Sequence, residues 1–308
     1  MPVRNLTKPV RKWIKSKINN TYLEFEALRA LRSEEEKDLP LFFPYKEGSE
    51  CYIINGTDYK EKCELDLPIP PRELWLGYGK NSMEYLHGKE QVTKMIKILE
   101  QDGYNISRMK RIMDFGCGAG RMVRWLKPYS IESEIWGTDI SADHITWAIN
   151  NLSPPFNFAT TTTVPHLPFE ESYFDFIFAG SVFTHIDDLV ESWLLELRRI
   201  LSRNGCLYIT IQDKHSIDVL KTSPYYEEIW LRKFVNENPF FTFSGKNFDK
   251  IVGLRGTKSQ VFYDPEYFKK IAGNIFDVVA MHQEAYGFQT AVVLRKKSAD
   301  KEKIEQWT

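Results

Sequence analysis

The sequence predicts an α/β protein built around a doubly wound sheet whose core strands are parallel. Three observations support this class. Residues 111–126 read as a strand, a glycine-rich turn and a helical pattern, and residues 134–140 read as a second apolar strand that ends in an acid. Further apolar strands and amphipathic helical patterns then alternate as far as residue 211. Strands that alternate with helices in this way form a parallel sheet covered by helices on both faces.

The composition is that of an ordinary globular protein. The chain has 308 residues, 43% of them hydrophobic and 27% charged, and its net charge of −1 creates no global field that would attract nucleic acid. No apolar run is long enough to cross a bilayer, and the basic start is not followed by the apolar segment of a signal peptide. Four cysteines do not form a dense disulfide framework. We therefore expect a cytoplasmic protein that keeps its thiols reduced.

The glycine-rich turn carries the most specific motif of the chain. Asp114 ends the first core strand, and Gly116, Gly118 and Gly120 follow at alternate positions. Glycine lets the chain turn sharply and lets a ligand approach the backbone, because it has no Cβ. A dinucleotide-binding loop, G-x-G-x-x-G, would place its third glycine one residue later, where this chain has Arg121. The spacing therefore indicates a ligand other than a dinucleotide.

A second acid stands where a ribose-binding carboxylate is expected. Asp139 ends the second strand, 25 positions after Asp114, which is the length of one strand-helix-strand unit. A carboxylate at the tip of that strand can accept hydrogen bonds from both hydroxyls of a ribose. Ser141 is a favourable N-cap for a helix over residues 142–150. The turn and the second acid together predict a nucleoside-containing ligand.

These residues resemble the cofactor site of class I S-adenosylmethionine (SAM) dependent methyltransferases, and the resemblance extends over residues 67–297. It implies SAM as the cofactor, with its methionine half over the glycine turn. It also implies a seven-stranded Rossmann-like sheet whose last strand is antiparallel, the closing strands lying at residues 276–281 and 288–295. The expected core strands between them are residues 156–158, 173–179 and 206–211.

The resemblance implies further cofactor contacts. Ile140 is expected to pack on the adenine, and the backbone around Thr163 and Val164 is expected to hold it, because threonines replace the acid that many relatives carry there. Ala179, at the end of the fourth strand, is expected beside the cofactor.

The segment before the core offers a contact at the other end of the cofactor. Tyr78 or Lys80 is expected to reach the methionine carboxylate, and the alternative is that this segment is a plain surface turn. A helix over residues 82–99, interrupted near Gly88, is expected to follow.

The chain divides into five expected segments. These are a helical arm with an irregular cap (1–66), the SAM-binding core (67–215), an insertion that forms a substrate lid (216–265), the closing strands (266–297) and a tail (298–308). The basic amphipathic helix predicted over residues 8–32 covers a core edge or, alternatively, contacts a membrane surface or a partner. In the cap, Asn55-Gly56 predicts a hairpin turn flanked by Cys51 and Cys63, which are too few ligands for zinc, and no metal is expected.

Candidate catalytic groups follow the fourth and fifth strands, because the carboxyl ends of the strands face the ligand in such sheets. His185 is the best-placed general base, since a histidine pKa near neutrality suits removal of a hydroxyl proton. The alternative is that His185 only hydrogen-bonds a helix end. Gln212, Asp213 and His215 form a second zone, in which Asp213 or His215 could accept a proton from the substrate.

The insertion is rich in aromatic residues, among which Tyr225, Tyr226 and Trp230 are expected to line the acceptor pocket. An aromatic pocket suits a flat ring or a sugar face. The alternative is that these residues form a small core of their own.

These observations predict a methyltransferase that acts on a small molecule or a glycan, at a hydroxyl oxygen. A protein or RNA methyltransferase and an inactive SAM-binding regulatory partner remain alternatives. Enzymes that methylate nucleic-acid amino groups carry an Asn/Asp-Pro-Pro-aromatic sequence after the fourth strand, where this chain has residues Ala179 to Val182, so a nucleic-acid acceptor is not expected.

Overall fold

The structure is a computed structural model that describes residues 42–44, 52–54, 61–241, 248–254 and 258–297. The chain divides into two compact units, residues 1–60 with 254–258 and residues 61–253 with 259–308. The helix expected over residues 8–32, Cys51 and the tail lie outside the described residues.

In the first unit, strand β1 (Phe42–Pro44) pairs antiparallel with β2 (Tyr52–Ile54). The turn predicted at Asn55-Gly56 lies outside the described residues, and the hairpin that the structure does describe joins β1 to β2, before that turn. The β-branched and aromatic run of β2 favours a strand, and that strand pairs with the segment before it. Asn55-Gly56, which lie outside the described residues, follow the second strand.

The second unit contains the sheet and its helices. Its strands are β3 (Arg111–Phe115), β4 (Glu134–Asp139), β5 (Asn157–Thr160), β6 (Phe174–Ala179), β7 (Leu201–Asp213), β8 (Lys250–Gly253), β9 (Gln260–Tyr263), β10 (Phe276–Tyr286) and β11 (Gln289–Lys296). Its α-helices are α1 (Ser82–Tyr85), α2 (Gly88–Gln101), α3 (Ala142–Leu152), α4 (Val190–Ile200), α5 (Lys214–Thr222), α6 (Trp230–Glu237) and α7 (Pro265–Gly273). The break between α1 and α2 confirms the expected interruption near Gly88.

The strands lie in the order β5-β4-β3-β6-β7-β11-β10. The five strands from β5 to β7 are parallel, and β11 runs antiparallel to both β7 and β10. The predicted doubly wound sheet with an antiparallel last strand is thus confirmed. The structure adds a short extension that the sequence did not predict, in which β9 pairs parallel with the end of β7 and antiparallel with β8.

The centre of the sheet is apolar because helices cover it. In β6 all residues but Asp175 are buried, as expected for a central parallel strand with both faces covered. Helix α4 packs Trp193, Leu194 and Leu197 into the main core while Leu195 faces solvent. This packing fixes the carboxyl ends of β3, β4 and β6 side by side, which is where the glycine turn and Asp139 lie.

The residues after β7 form a small core of their own. Helices α5 and α6 pack together through six buried apolar side chains: Ile217, Leu220, Leu231, Val235, Phe241 and Phe262. Among the helices of the described residues, none is long and apolar enough to cross a membrane.

Candidate active site

The glycine turn leaves β3 in a conformation that side chains resist. Gly116, Gly118 and Gly120 have φ of +82°, +53° and +76°, all in the left-handed region. A Cβ on Gly116 would lie 2.3 Å from Cγ2 of Val182, so this turn packs closely against the segment after β6. The backbone N–H of Gly116 donates to Thr138 O at 2.7 Å, which ties the turn to β4.

Asp139 joins the two loops that form the nucleoside side of the site. One carboxylate oxygen accepts the backbone N–H of Gly118 and the other accepts that of Ser141, both at 2.8 Å. Each carboxylate oxygen can accept more than one hydrogen bond, so the half-buried Asp139 keeps capacity for ribose hydroxyls. The structure brings the two predicted parts of the site together.

A cavity opens beside the glycine turn. Its lining includes side chains from well-separated parts of the chain: Trp75, Tyr78, Asp114, Arg121, Met122 and Tyr286. This is the position where the methionine half of the cofactor is expected. Tyr78, half-buried, is part of the lining, whereas the exposed Lys80 pairs with Glu228 at 2.8 Å instead.

Asp114 presents an unpartnered oxygen to this cavity. The side chain is 2% exposed, and Oδ2 has no hydrogen-bond partner among the described residues. Burial raises the pKa of the carboxyl to about 8; Asp139 adds to the rise, and Arg121 opposes it. A buried carboxyl with a free acceptor atom is complementary to a cationic or hydrogen-donating ligand group.

Arg121 is a site residue that the sequence analysis missed. Its side chain is 7% exposed, and one terminal nitrogen donates to Gln91 and to the hydroxyl of Tyr286. The guanidinium carbon lies 4.0 Å from the ring centre of Tyr78. Nε and the other terminal nitrogen form no hydrogen bond within the described part of the chain. The signal was present in the sequence, because an arginine follows the third glycine directly.

The cavity therefore offers a carboxylate oxygen without a donor and a guanidinium with donors to spare. The first fits an ammonium group and the second fits a carboxylate, which are the charged groups of an amino acid. The methionine half of SAM carries both, so the residues present fit the cofactor implied by the resemblance.

Apolar side chains without cover stand on the nucleoside side. Ile140, directly after β4, is 48% exposed, and Val164, which follows the exposed Thr163 in the segment after β5, is 62% exposed. Such surface is what an adenine ring would cover. The sequence analysis missed His144, whose Nδ1 lies 2.5 Å from Ser141 Oγ and whose buried Nε2 has no partner among the described residues.

His185 lies on an exposed position after β6. Its Nδ1 donates to the carbonyl oxygen of Ser259 at 2.7 Å, so the neutral ring leaves Nε2 as the unprotonated nitrogen. Although the residue as a whole is exposed, the protein atoms around its ring partly desolvate it and lower its pKa, and the hydrogen bond to the Ser259 carbonyl opposes that shift. His185 is not among the residues that line the cavity beside the glycine turn.

The residues after β7 hold structural positions. Asp213 is 2% exposed, and its carboxylate accepts the backbone N–H of Ser216 at 2.9 Å as the N-cap of α5. This corrects the expectation that it faces the substrate: a capping box needs a short acceptor at that position. Gln212 is 1% exposed and donates to Gln260 at 3.1 Å, while His215 pairs with Glu284 at 3.0 Å.

Of the three predicted aromatic residues, Tyr225 and Tyr226 pack edge-on against each other, whereas Trp230 contacts Phe234. Tyr226 packs edge-on against Phe288 in the small core, whereas Tyr225 is 80% exposed and Trp230 is 57% exposed. Ala179 is fully buried in the main core, and its neighbour Gly180 lines the cavity instead. Strand alternation explains this difference, because successive residues point to opposite faces.

Residues 113–209 match the family model described as a methyltransferase domain. Among solved structures, a protein from Pyrococcus horikoshii OT3 is 19% identical over 71% of this chain and 95% of its own, with a TM-score of 0.50, so the two share a fold. A SAM-dependent methyltransferase from Methanosarcina mazei is 16% identical over 65% of this chain and 96% of its own, with a TM-score of 0.46. Magnesium protoporphyrin IX methyltransferase from Synechocystis PCC 6803 with bound SAH is 16% identical over 73% of this chain and 92% of its own, with a TM-score of 0.46.

Proposed function

We propose that this chain, which contains a methyltransferase domain at residues 113–209, is a class I SAM-dependent methyltransferase that transfers the methyl group of SAM to a hydroxyl oxygen of a small molecule or a glycan. The observation that supports oxygen as the methylated atom is the tautomer of His185. Its Nδ1–H is held by the Ser259 carbonyl, so Nε2 is ready to accept a proton. A hydroxyl is a weak nucleophile that needs such a base.

On the cofactor side, the proposal assigns SAM to the cavity and the adjoining loops. Asp114 would take the ammonium and Arg121 the carboxylate of the methionine half. Asp139 would take the ribose hydroxyls, and Ile140 and Val164 the faces of the adenine. The support is physical: each of these groups has an unused hydrogen-bonding atom or an uncovered apolar surface of the matching kind.

SAM supplies the reactive methyl group and a good leaving group, so the chain's own residues have to bind, align and move one proton. The acceptor lies at the carboxyl ends of β6 and β7. His185 Nε2 takes the hydroxyl proton as the oxygen attacks the methyl carbon. The lowered pKa of His185 keeps the ring neutral and competent as a base at neutral pH.

The proposal is tested in two steps. Calorimetry with SAM and SAH on the wild type and on Asp139→Ala establishes the cofactor site, with weaker binding expected for the variant. Methyl-labelled SAM is then incubated with phenols, catechols, free sugars, mixed RNA and a protein mixture, and products are identified by mass spectrometry. Methyl ethers of the small molecules are the expected products. Labelled RNA or protein supports the first alternative, and SAM binding without any transfer supports an inactive partner.

A further inference from the structure

A closed network of polar side chains lies at the carboxyl ends of β6 and β7. Thr210 and Gln289 are 0% and 5% exposed and occur on neighbouring strands, β7 and β11. Ser181, directly after β6, is half-buried and is the member that solvent reaches, while Thr184 is fully buried. Ser181 also has a φ of +60°, a conformation that costs a non-glycine residue energy and that clusters at functional sites.

The direction of each hydrogen bond in this network can be worked out. The backbone N–H of Ser181 donates to Thr210 Oγ1 at 2.7 Å, so the Thr210 hydroxyl gives its own proton to Gln289 Oε1, also at 2.7 Å. This orients the Gln289 amide so that Nε2 donates to Ser181 Oγ at 2.9 Å. Ser181 Oγ is therefore an acceptor inside the protein.

The proton of the Ser181 hydroxyl has no strong acceptor among the described residues. Thr184 gives its own proton to the Ser181 carbonyl at 2.9 Å, so the contact between the two hydroxyl oxygens, at 3.3 Å, has Ser181 as its donor. Hydroxyl bonds are normally about 2.7–2.8 Å long, so this one is weak. A ligand oxygen at normal distance displaces it. The network thus presents one fixed hydrogen-bond donor towards solvent.

This donor stands beside the cavity. Gly180, the preceding residue, lines the cavity, and a Cβ there would lie 2.9 Å from both Met122 Sδ and the Tyr286 ring. Val182, the following residue, packs against Gly116. Gln289 pairs with Tyr286, another lining residue, in the hairpin of β10 and β11. Ser181 therefore lies between a residue that lines the cavity and a residue that packs against the glycine turn, at the carboxyl end of β6, the side of the sheet on which ligands bind in such folds.

We infer that the Ser181 hydroxyl holds the acceptor's nucleophilic atom by donating a hydrogen bond to it, and that Gln289 and Thr210 position Ser181 for this role. The inference rests on the proposed function and adds an explanation for a preference for oxygen over nitrogen. A hydroxyl oxygen has two lone pairs, one for the bond from Ser181 and one for the attack. A neutral amine has a single lone pair, which the attack needs, so it cannot accept the bond from Ser181.

The step balances with the groups already named. One oxygen lone pair forms the new bond to the methyl carbon, and the bond between that carbon and sulfur breaks. Its electron pair stays on sulfur, which becomes a neutral thioether. The hydroxyl proton passes to a base, His185 in the proposed function, and Ser181 keeps its own proton throughout as a positioning residue.

Competition within one molecule tests the inference. Aminophenols and 4-aminophenyl β-D-glucoside each carry a neutral aromatic amine and one or more hydroxyls. They are incubated with SAM and the full chain, and the ratio of O-methyl to N-methyl product is measured by chromatography. The wild type is expected to make the O-methyl product in large excess. Equal amounts of the two products overturn the inference while leaving methyl transfer intact. If SAM binds and no probe is methylated, the hydroxyl proposal fails together with this inference.

Variants test whether the preference for oxygen over nitrogen depends on Ser181. Ser181→Ala and Ser181→Gly are each expected to lower the O-to-N ratio about tenfold, the value of one hydrogen bond, with SAH affinity unchanged. The glycine variant separates loss of the hydroxyl from backbone strain. Gln289→Met, which removes the donor that orients Ser181, is expected to lower the ratio less. Ser172→Ala is the matched control, because Ser172 is an exposed serine with a φ of +59° at the other end of β6. A ratio that Ser181→Ala and Ser181→Gly leave unchanged overturns the inference.

Discussion

The guanidinium of Arg121 stacks on the ring of Tyr78, 4.0 Å from guanidinium carbon to ring centre, and the hydroxyl of Tyr286 hydrogen-bonds to both. The three residues come from the segment before α1, from the glycine turn and from the end of β10. Their contact closes the methionine side of the cavity with a positive charge held by two aromatic rings.

Arg121→Met is expected to weaken SAH binding by about 1.5–3 kcal/mol, the value of a hydrogen bond to a charged group. Calorimetry measures the affinity. Arg111→Met is the control, because Arg111 makes a similar stack on Tyr173, at 4.2 Å, away from the cavity. Equal SAH affinities for the two variants would show that Arg121 does not bind the cofactor.

The buried carboxyl of Asp114 is expected to make the unliganded protein less stable as the pH rises. Burial raises its pKa to about 8, from about 4 in the unfolded chain, so between these values the folded state keeps a proton that the unfolded state has lost. The free energy of unfolding therefore falls as the pH rises through this window. Asp114→Asn removes the titration.

Thermal melts of the wild type and Asp114→Asn at pH 5.5, 7 and 8.5 measure this effect. The variant is expected to gain Tm relative to the wild type with each step in pH. Saturating SAM, whose positive groups favour the ionised carboxylate, is expected to shrink the gap. A Tm difference between the variant and the wild type that stays constant with pH would contradict the burial of an unpaired carboxyl.

Gly116→Ala is expected to destabilise the fold for two separable reasons. The positive φ costs roughly 1–2 kcal/mol for a residue with a side chain, and the new Cβ meets Val182 at 2.3 Å. Val182→Ala in the same chain removes the second cost and restores part of the stability. Gly103→Ala measures the first cost alone, because Gly103 has a φ of +87° and nothing within 4 Å of its would-be Cβ. Urea unfolding of Gly116→Ala, Val182→Ala and the double variant gives the coupling, and strictly additive losses would refute the clash.

His185→Ala is expected to lower kcat by about 10²-fold or more with normal SAH binding, if His185 is the base. Because partial desolvation of the ring lowers its pKa, the acidic limb of the pH profile lies below about 6.5, the ordinary histidine value, and the variant loses that limb. Rates across pH 5–9 are compared with those of His166→Ala, which alters an exposed histidine. A lower Tm with normal kcat and an unchanged limb would assign His185 to the scaffold.

Asp213→Ala is expected to cost about 0.5–2 kcal/mol of stability, the value of an N-cap, and to leave SAH affinity and the rate per folded molecule unchanged. Chemical denaturation and calorimetry give the first two quantities. The reverse result, in which the variant is fully stable but has lost methyl transfer, would show that Asp213 acts in the substrate site.

Local patterns predicted the parts of the site that depend on backbone conformation. The alternating glycines and Asp139 lie as expected because a turn with positive φ and a strand-end acid are encoded within a few residues. Arg121 was missed as a binding residue because its partners, Tyr78 and Tyr286, come from distant segments. Only the closed sheet brings them together.

The roles of the residues after β7 could not be chosen from the sequence for a related reason. Asp213 reads equally well as a catalytic acid or as a helix cap, and the choice depends on whether α5 begins at the next residue. The strands β8 and β9 were missed because each has four residues, β9 pairing with the end of β7 and β8 with β9. Sequence periodicity over so few positions carries little information.

The two hydrogen bonds of Asp139 change how its mutants have to be interpreted. Its carboxylate already holds the glycine turn and the start of α3 in place through Gly118 and Ser141, before any cofactor arrives. The ligand therefore meets a rigid frame and does not have to pay for ordering two loops. Replacing Asp139 would both remove the ribose partner and release those loops, so the measured loss would exceed the strength of the ribose contact. Asp139→Asn, whose amide can keep one loop contact, gives the closer measure of what the cofactor itself gains from this acid.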